Sequence, residues 1–372
     1  MRPAAKGWCP GAHRPMESGD GLIVRVRPPL GRLTAAQARG LCAAARAHGS
    51  GILELTRRAN LQIRGVTWAA HPPLLDALDA LDLLDAPATE ARRNILVAPL
   101  WQPGDATART AAELAARLDE LPELPAKFGF AIDAGAAPML VAASADIRIE
   151  RGADGRLLLR ADGVAGGVPL RPGKEVTAAI ALAHRFADAG GAAHKRMARH
   201  PAAADLCPPE RSPAAPQAPV IPGTSALGPA IGLPFGQIEA AALADLLARS
   251  GAQALRVTPW RVAVLEGGAP VADPAILTDP ADPLLRTDAC PGKPFCPAAT
   301  VETRALARRL APHVAGRLHV SGCAKGCARP RAADATLTGR DGRFDLIRDG
   351  HAWDTPGRSG LRPADLLEPG AL

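Results

Sequence analysis

The interval from Gly49 to Thr56 recurs, at the same seven-residue length, from Gly251 to Thr258. In the first copy Gly21-Leu-Ile-Val-Arg-Val-Arg27 alternates as a strand does. Thr34 to His48 then reads as an Ala-rich helix that opens on a Thr cap and stops before Gly49. Residues 51–56 and 61–65 follow as a strand pair. In the second copy Gly236-Gln-Ile-Glu opens a helix running through Ser250, followed by strands at 254–258 and 261–265. A β-α-β-β unit present twice is the reading that this offset supports; a chance likeness of two common units is the alternative. Each copy leads into a longer α/β stretch, and the Pro-rich, aperiodic residues 200–227 read as a linker. The expected division is therefore 15–84, 85–199, the linker 200–227, 228–278 and 279–372.

Four cysteines fall only in the last of these segments. Cys290 and Cys296 have five residues between them, Cys323 and Cys327 three. Two thiol pairs on small Gly/Pro-rich loops suit one compact soft-metal centre. Structural zinc favours pairs separated by about two to four residues, so a [4Fe–4S] cluster fits the wider gap better. Seven cysteines, an odd number, argue against a secreted disulfide scaffold. Residues 1–9 have no apolar signal core, and no run approaches the roughly 20 apolar residues of a membrane span. A cytoplasmic protein with reduced thiols is expected. Cys42, on the Ala-rich helix, reads as a core residue, and Cys207 as incidental to the linker.

The net charge of +7 suggests an anionic partner. No Lys/Arg block is interleaved with aromatics, so nucleic acid is not expected and a small polyanion is. Thr56-Arg57-Arg58-Ala-Asn60-Leu-Gln62-Ile-Arg64 is dense in polar groups for a strand hairpin. Strand alternation places Thr56, Arg58, Asn60, Gln62 and Arg64 on one face if no bulge intervenes. Guanidiniums with amides between them make a multidentate surface for carboxylates; a solvated strand face is the plain alternative. Further cations lie at Arg92-Arg93-Asn94, at Lys127 in Leu-Pro-Ala-Lys-Phe, and at Arg256 and Arg261. Lys127 stands out because only six of the 44 basic residues are Lys.

The cysteine quartet, the Thr-Arg-Arg-x-x-x-Gln segment, Arg-Asn-Ile-Leu and Leu-Pro-x-Lys-Phe resemble the sulfite/nitrite reductase superfamily, in order, from about residue 18 to 340. The resemblance implies an α+β fold of two ferredoxin-like half-domains and two α/β domains related by a pseudo-two-fold duplication. It implies that Cys290, Cys296, Cys323 and Cys327 hold a [4Fe–4S] cluster, with Cys327 the axial link to sirohaem. Thr56, Arg58, Asn60, Gln62, Arg64, Arg93, Arg256 and Arg261 would then bind substrate or sirohaem. Two departures bear on the substrate. The Arg these enzymes carry two positions before the Thr is Glu54, and the second Lys of Lys-Phe-Lys is Gly129, leaving Lys127. A carboxylate beside an inorganic dianion is repulsive by something on the order of several kcal/mol. Glu54 and Lys127 are the catalytic candidates.

Cys9-Pro-Gly-Ala-His-Arg-Pro-Met16, Glu54-Leu-Thr-Arg-Arg-Ala-Asn-Leu-Gln, Lys127-Phe-Gly-Phe-Ala-Ile-Asp133 and His319-Val-Ser-Gly-Cys-Ala-Lys-Gly-Cys-Ala-Arg-Pro330 are similar to one branch of that superfamily, the precorrin-3B synthases of aerobic cobalamin biosynthesis. That likeness implies an O₂-dependent monooxygenase that hydroxylates the tetrapyrrole precorrin-3A and closes a γ-lactone from a ring acetate. The cluster becomes an electron relay. The iron that meets O₂ is either sirohaem on Cys327 or a separate non-haem iron, for which Cys9, His13, Glu54, Asp133 and His319 are candidate ligands. No dinucleotide fingerprint is visible, so electrons are expected from NAD(P)H through a separate reductase or a ferredoxin. The competing readings are a sirohaem sulfite or nitrite reductase and a non-catalytic zinc-binding module.

Overall fold

The computed structural model describes residues 9–368 and 370–372; residues 1–8, scanned above for a leader, lie outside the described residues. Among the described residues, twenty strands fall into four runs of five. The first run is β1 Met16–Ser18, β2 Gly21–Val26, β3 Arg32–Thr34, β4 Ile52–Leu55 and β5 Leu61–Val66. The second is β6 Ile95–Val97, β7 Phe130–Asp133, β8 Ile147–Arg151, β9 Leu157–Ala161 and β10 Val168–Pro169. The third is β11 Gly223–Ser225, β12 Gly228–Gly232, β13 Gln237–Glu239, β14 Ala254–Val257 and β15 Val262–Glu266. The fourth is β16 Thr287–Ala289, β17 Leu318–Ser321, β18 Ala333–Arg340, β19 Arg343–Gly350 and β20 Arg358–Leu361.

The duplication is complete. The two ferredoxin-like sheets have orders β1-β2-β5-β4-β13 and β11-β12-β15-β14-β3, so each borrows one strand from the other copy. The helix Ala35–His48 starts on a capping box, in which Thr34 accepts from the Gln37 amide at 3.2 Å and Gln37 accepts from the Thr34 amide at 3.0 Å. It buries Leu41, Cys42 and Ala45, as expected of Cys42. The second helix begins later than its sequence suggests. Gln237–Glu239 is strand β13, paired with β4, and the helix is Ala240–Ser250. The cause is a left-handed residue in the preceding turn, Phe235 (φ 59), matched in the first copy by Leu30 (φ 50) ahead of β3. Each turn sends its chain out extended to pair with the opposite half. The Ala35 amide then donates to the Gln253 carbonyl and the Ala240 amide to the Gly51 carbonyl, both at 2.8 Å.

The two α/β domains also match. In each, three parallel strands are followed by two antiparallel ones: β6 to β10 and β16 to β20. Cys207 is a correction to the reading of that thiol as incidental: it is fully buried, and its thiol donates to the Leu159 carbonyl at 3.3 Å. Further along the same stretch, Arg211 and Pro213 bridge to Gly167 and Gly152. Among the described residues, no helix is long and apolar enough to cross a membrane.

Candidate functional site

A row of four polar side chains crosses the first ferredoxin-like sheet. Arg25 on β2 pairs in register with Gln62 on β5, Gln62 with Glu54 on β4, and Glu54 with Gln237 on β13. Directly opposed residues share a face, so the row is one surface. Over it opens a cavity of about 630 Å³. Its walls are the hairpin turn at Thr56–Arg57, the equivalent turn Pro259–Arg261 of the other copy, and the segments carrying Cys290 and Cys327. Seven arginines border it (Arg25, Arg57, Arg261, Arg304, Arg317, Arg329 and Arg331) against two carboxylates, Glu54 and Asp288.

Both carboxylates are committed to neighbours. Glu54 accepts from Arg304 at 2.7 Å and from Arg64 at 3.3 Å. Asp288 lies 3.3 Å from Arg329 and 3.7 Å from both Arg261 and Arg317. Arg261 also spans two carbonyls, Thr287 at 2.6 Å and Leu285 at 2.7 Å; burial lowers its pKa, and Asp288 opposes the shift. Arg57 reaches across the cavity to the carbonyl of Ala328. Among the described residues no carboxylate stands within salt-bridge range of Arg25, Arg57 or Arg331. The cavity is therefore a net cationic bowl.

Two of the four cysteines, Cys290 and Cys327, meet its edge. Cys290 follows β16, and Cys323 lies just beyond β17, so the two sit at the carboxyl ends of adjacent parallel strands. The Cys290 sulfur accepts from the Gly322 amide at 3.2 Å. Burial, foremost, raises the Cys290 and Cys327 pKa values, and the neighbouring cysteines of the quartet add to both shifts. The loops leave little room for side chains: a Cβ on Gly322 would stand 2.6 Å from that of Ala299. Among the described residues no three His, Cys, Asp or Glu side chains are gathered tightly enough for a single metal ion. Two thiol pairs on small loops, with one thiol accepting an amide hydrogen bond, could hold a soft-metal centre such as an iron–sulfur group.

A family model for the nitrite/sulfite reductase ferredoxin-like half domain matches residues 14–81. The precorrin-3B synthase of Sinorhizobium sp is 35% identical over 391 residues, spanning 94% of this chain and 84% of that protein. The chain belongs to the precorrin-3B synthase family. The ferredoxin-type sulfite reductase of Mycobacterium tuberculosis (strain H37Rv) is 30% identical over 138 residues, only 31% of this chain and 24% of that one. The structure of the Mycobacterium tuberculosis NirA protein superposes with a TM-score of 0.59 over 93% of this chain and 79% of that chain. At 19% identity this is a likeness of fold, the α+β sulfite/nitrite reductase architecture.

Within this family member the sequence-derived residues divide into three groups. Glu54, Thr56, Gln62 and Arg261 border the cavity with Cys290 and Cys327. Arg58, Asn60 and Arg93 do not: they line a small cleft with Asn94 and Ser144. The expected alternation fails because the chain turns at Arg57–Ala59, with Ala59 left-handed (φ 50), which resets the facing. Arg57 rather than Arg58 therefore joins Thr56. Arg58 instead donates to the Lys127 carbonyl at 2.9 Å, and Arg93 to Asp85 and the Arg27 carbonyl, both at 2.7 Å. Lys127 sits in the turn ahead of β7.

Arg64 and Arg256 serve the fold. Arg64 is buried against Asp20 at 2.7 Å, and Arg256 is buried against Glu266 at 2.5 Å and lies 3.8 Å over the Trp101 ring. Gly129 has a packing reason, since a Cβ there would stand 2.8 Å from the Asn94 carbonyl. The five candidates for a lone iron are not assembled: no three of them are gathered. His13 bonds the Asp85 carbonyl at 2.7 Å, and Asp133 accepts from the Met139 and Leu140 amides at 2.7 Å. His319 is fully buried with neither ring nitrogen partnered, and burial pushes its pKa down to about 4. Sequence reasoning missed Arg25, Arg57, Arg304, Arg317, Arg329 and Arg331 as cavity residues. Arg329 and Arg331 were signalled by their place just after Cys327. Arg304 carried no local signal.

Proposed function

We propose that this chain is a precorrin-3B synthase: it binds precorrin-3A in the arginine-lined cavity, hydroxylates it with O₂ and closes the γ-lactone from a ring acetate. The observation that carries the reading is a bowl of about 630 Å³ with seven arginines and two already-paired carboxylates, bordered by Cys290 and Cys327. That volume is in the range of small-molecule sites, roughly 300–1,000 Å³. A macrocycle rimmed with carboxylates neutralises such a wall, with Arg57, Arg317 and Arg331 at its accessible edge. An inorganic dianion is a poorer match, because one small anion answers only a few of seven arginines spread around a cavity of about 630 Å³.

Cys290, Cys296, Cys323 and Cys327 would hold a [4Fe–4S] cluster that supplies single electrons, with sirohaem or a non-haem iron supplying O₂ chemistry. The chain's own work is binding and orientation. Thr56 and Gln62 offer hydrogen bonds on the cavity floor, and Glu54 holds Arg304 and Arg64 in place. Net turnover takes one O₂, two electrons and two protons, leaving one oxygen atom in the product and one in water. The electrons come from NAD(P)H through a separate reductase or ferredoxin, in a cytoplasmic setting where cluster thiols stay reduced.

Precorrin-3A turned over under ¹⁸O₂ by anaerobically purified, reduced enzyme should give product carrying one ¹⁸O, read by mass spectrometry. Arg57→Ala and Arg331→Ala should each raise KM about tenfold, the equivalent of ~1.4 kcal/mol, with the cluster absorbance unchanged. Product free of ¹⁸O, or sulfite reduction in its place, would overturn the assignment.

A further inference from the structure

A second compartment shares Arg25 with the arginine-lined cavity. Arg25 lines both spaces, and beyond it a hollow of about 260 Å³ is bounded by Cys9, His13, Arg27, Arg58, Glu90 and Asn94. The N-terminal strap over it is fastened. Glu90 accepts from the Ala12 amide at 2.5 Å and the His13 amide at 3.2 Å, and the Arg25 amide donates to the Gly11 carbonyl at 3.0 Å. Gly11 has no room for a side chain, since a Cβ would stand 2.5 Å from a Glu90 oxygen.

The charges here are unevenly answered. Arg27 is paired with Glu90 at 2.7 Å. Arg25 and Arg58 are not paired with any carboxylate among the described residues. Arg25 is 8% exposed, and its Nε has no hydrogen-bond partner. Arg58 gives Nη2 only to a neutral carbonyl, that of Lys127. Burial lowers the pKa of both guanidiniums, and the Cys9 sulfur in its thiolate form is the first group that opposes the shift in each case. A buried and a half-buried cation without a carboxylate partner are costly unless something arrives to neutralise them. The hollow is below the roughly 300 Å³ at which whole small molecules are usually housed. It is large enough for one side-chain arm.

We propose that this compartment is a carboxylate subsite: Arg25 and Arg58 together grip one carboxylate arm of the tetrapyrrole whose ring lies in the larger cavity, and Cys9 forms the wall that the arm covers. The inference rests on the tetrapyrrole reading above and adds to it a named anchoring point on the far side of Arg25. An anchored arm fixes the rotation of the ring in its plane, which is what a reaction at one position of a near-symmetric macrocycle requires.

The test uses the full chain with its cluster and the octacarboxylate uroporphyrin I as the probe. Binding is followed by the porphyrin absorbance, and access to the subsite by alkylation of Cys9 with iodoacetamide, read by peptide mass spectrometry. Saturating porphyrin should slow Cys9 alkylation at least tenfold in the wild type, and acetate at the same concentration should leave it unchanged. Arg58→Gln, and separately Arg25→Lys, should weaken porphyrin binding about tenfold and remove the protection, with the cluster spectrum intact. Porphyrin binding without protection of Cys9 would overturn the subsite and leave the tetrapyrrole reading standing. Protection by acetate alone would make it a free-anion site and overturn the arm. Failure of the porphyrin to bind at all would overturn both.

Discussion

The two halves of the molecule share one topology, and at equivalent positions one copy lines the candidate site while the other packs into the core. The row Arg25–Gln62–Glu54–Gln237 in the first ferredoxin-like sheet has Ala230–Val264–Arg256–Arg32 as its counterpart in the second. In the second sheet the two arginines are closed off internally on Glu266. The α/β domains are polarised the other way. The in-register pair Asp288–His319, on β16 and β17, is matched on β6 and β7 by Leu96–Ala131, and Cys290 by Ala98. Leu96, Ala98 and Ala131 are buried in the core shared with the ferredoxin-like halves. The site thus takes its polar floor from one copy of the first module and its thiols from the other copy of the second. A duplicated scaffold lets one copy carry function while its twin holds the framework.

The largest expected consequence of this asymmetry concerns the quartet. Cys323→Ser and Cys327→Ser should each abolish the visible iron–sulfur absorbance and the acid-labile sulfide of the purified protein. Fold should survive, because the equivalent half packs without any cluster. Retention of a full cluster in both variants would refute the ligand assignment and, with it, the claim that one half is specialised for electron transfer.

The second consequence compares Glu54 with its counterpart Arg256. Glu54 is the shared carboxylate of Arg64 and Arg304, with 12% of its side chain exposed. Glu54→Gln leaves two guanidiniums under-neutralised and should lower the unfolding free energy by about 3–4 kcal/mol in urea titration at pH 7. Restoring an anion-binding cation, Glu54→Arg, should be worse still. A neutral result would mean that Glu54 is a free cavity carboxylate available to substrate, not a structural counter-ion.

Much of this was legible in the chain. The Gly49–Thr56 and Gly251–Thr258 offset, the Thr34 cap and the four cysteines each depend on local chemistry that spacing records. The exchange of β3 and β13 was not legible, because Gln237–Glu239 is a short extended segment whose partner lies in the other copy. Nor was the separation of Arg57 from Arg58, which turns on Ala59 adopting a left-handed conformation that an alanine does not advertise. Arg256 resembled a site cation in sequence and is instead stacked on Trp101, a contact across domains. Residues whose role is set by local geometry were readable; those set by which module lies opposite were not.

The smallest of the expected effects tests whether the first α/β domain, the copy without the thiol quartet, is tuned as quietly as the comparison implies. Asp133 at the end of β7 occupies the place that Ser321 holds at the end of β17. Ser321 is a neutral hydroxyl donating to the Cys323 carbonyl at 2.8 Å. Asp133 is 2% exposed, with one carboxylate oxygen on two amides and the other without a partner. Burial, only partly offset by those amides, pushes its pKa up to about 6, with nearby Glu150 adding to the rise and Arg148 opposing it. Its unfolded value is about 3.9, so the folded state holds the proton more tightly. The stability it contributes is full below about pH 4 and is lost as pH rises through 6, a change of about 2–3 kcal/mol. Asp133→Asn removes that titration and gives the unpartnered position a donor. The variant should therefore gain on the wild type by about that amount between pH 4 and 7 in denaturant titrations, while Ser321→Ala should show no such slope. A difference that stays flat with pH would mean that water reaches Asp133 and that the first α/β domain is less dry than its sheet packing indicates.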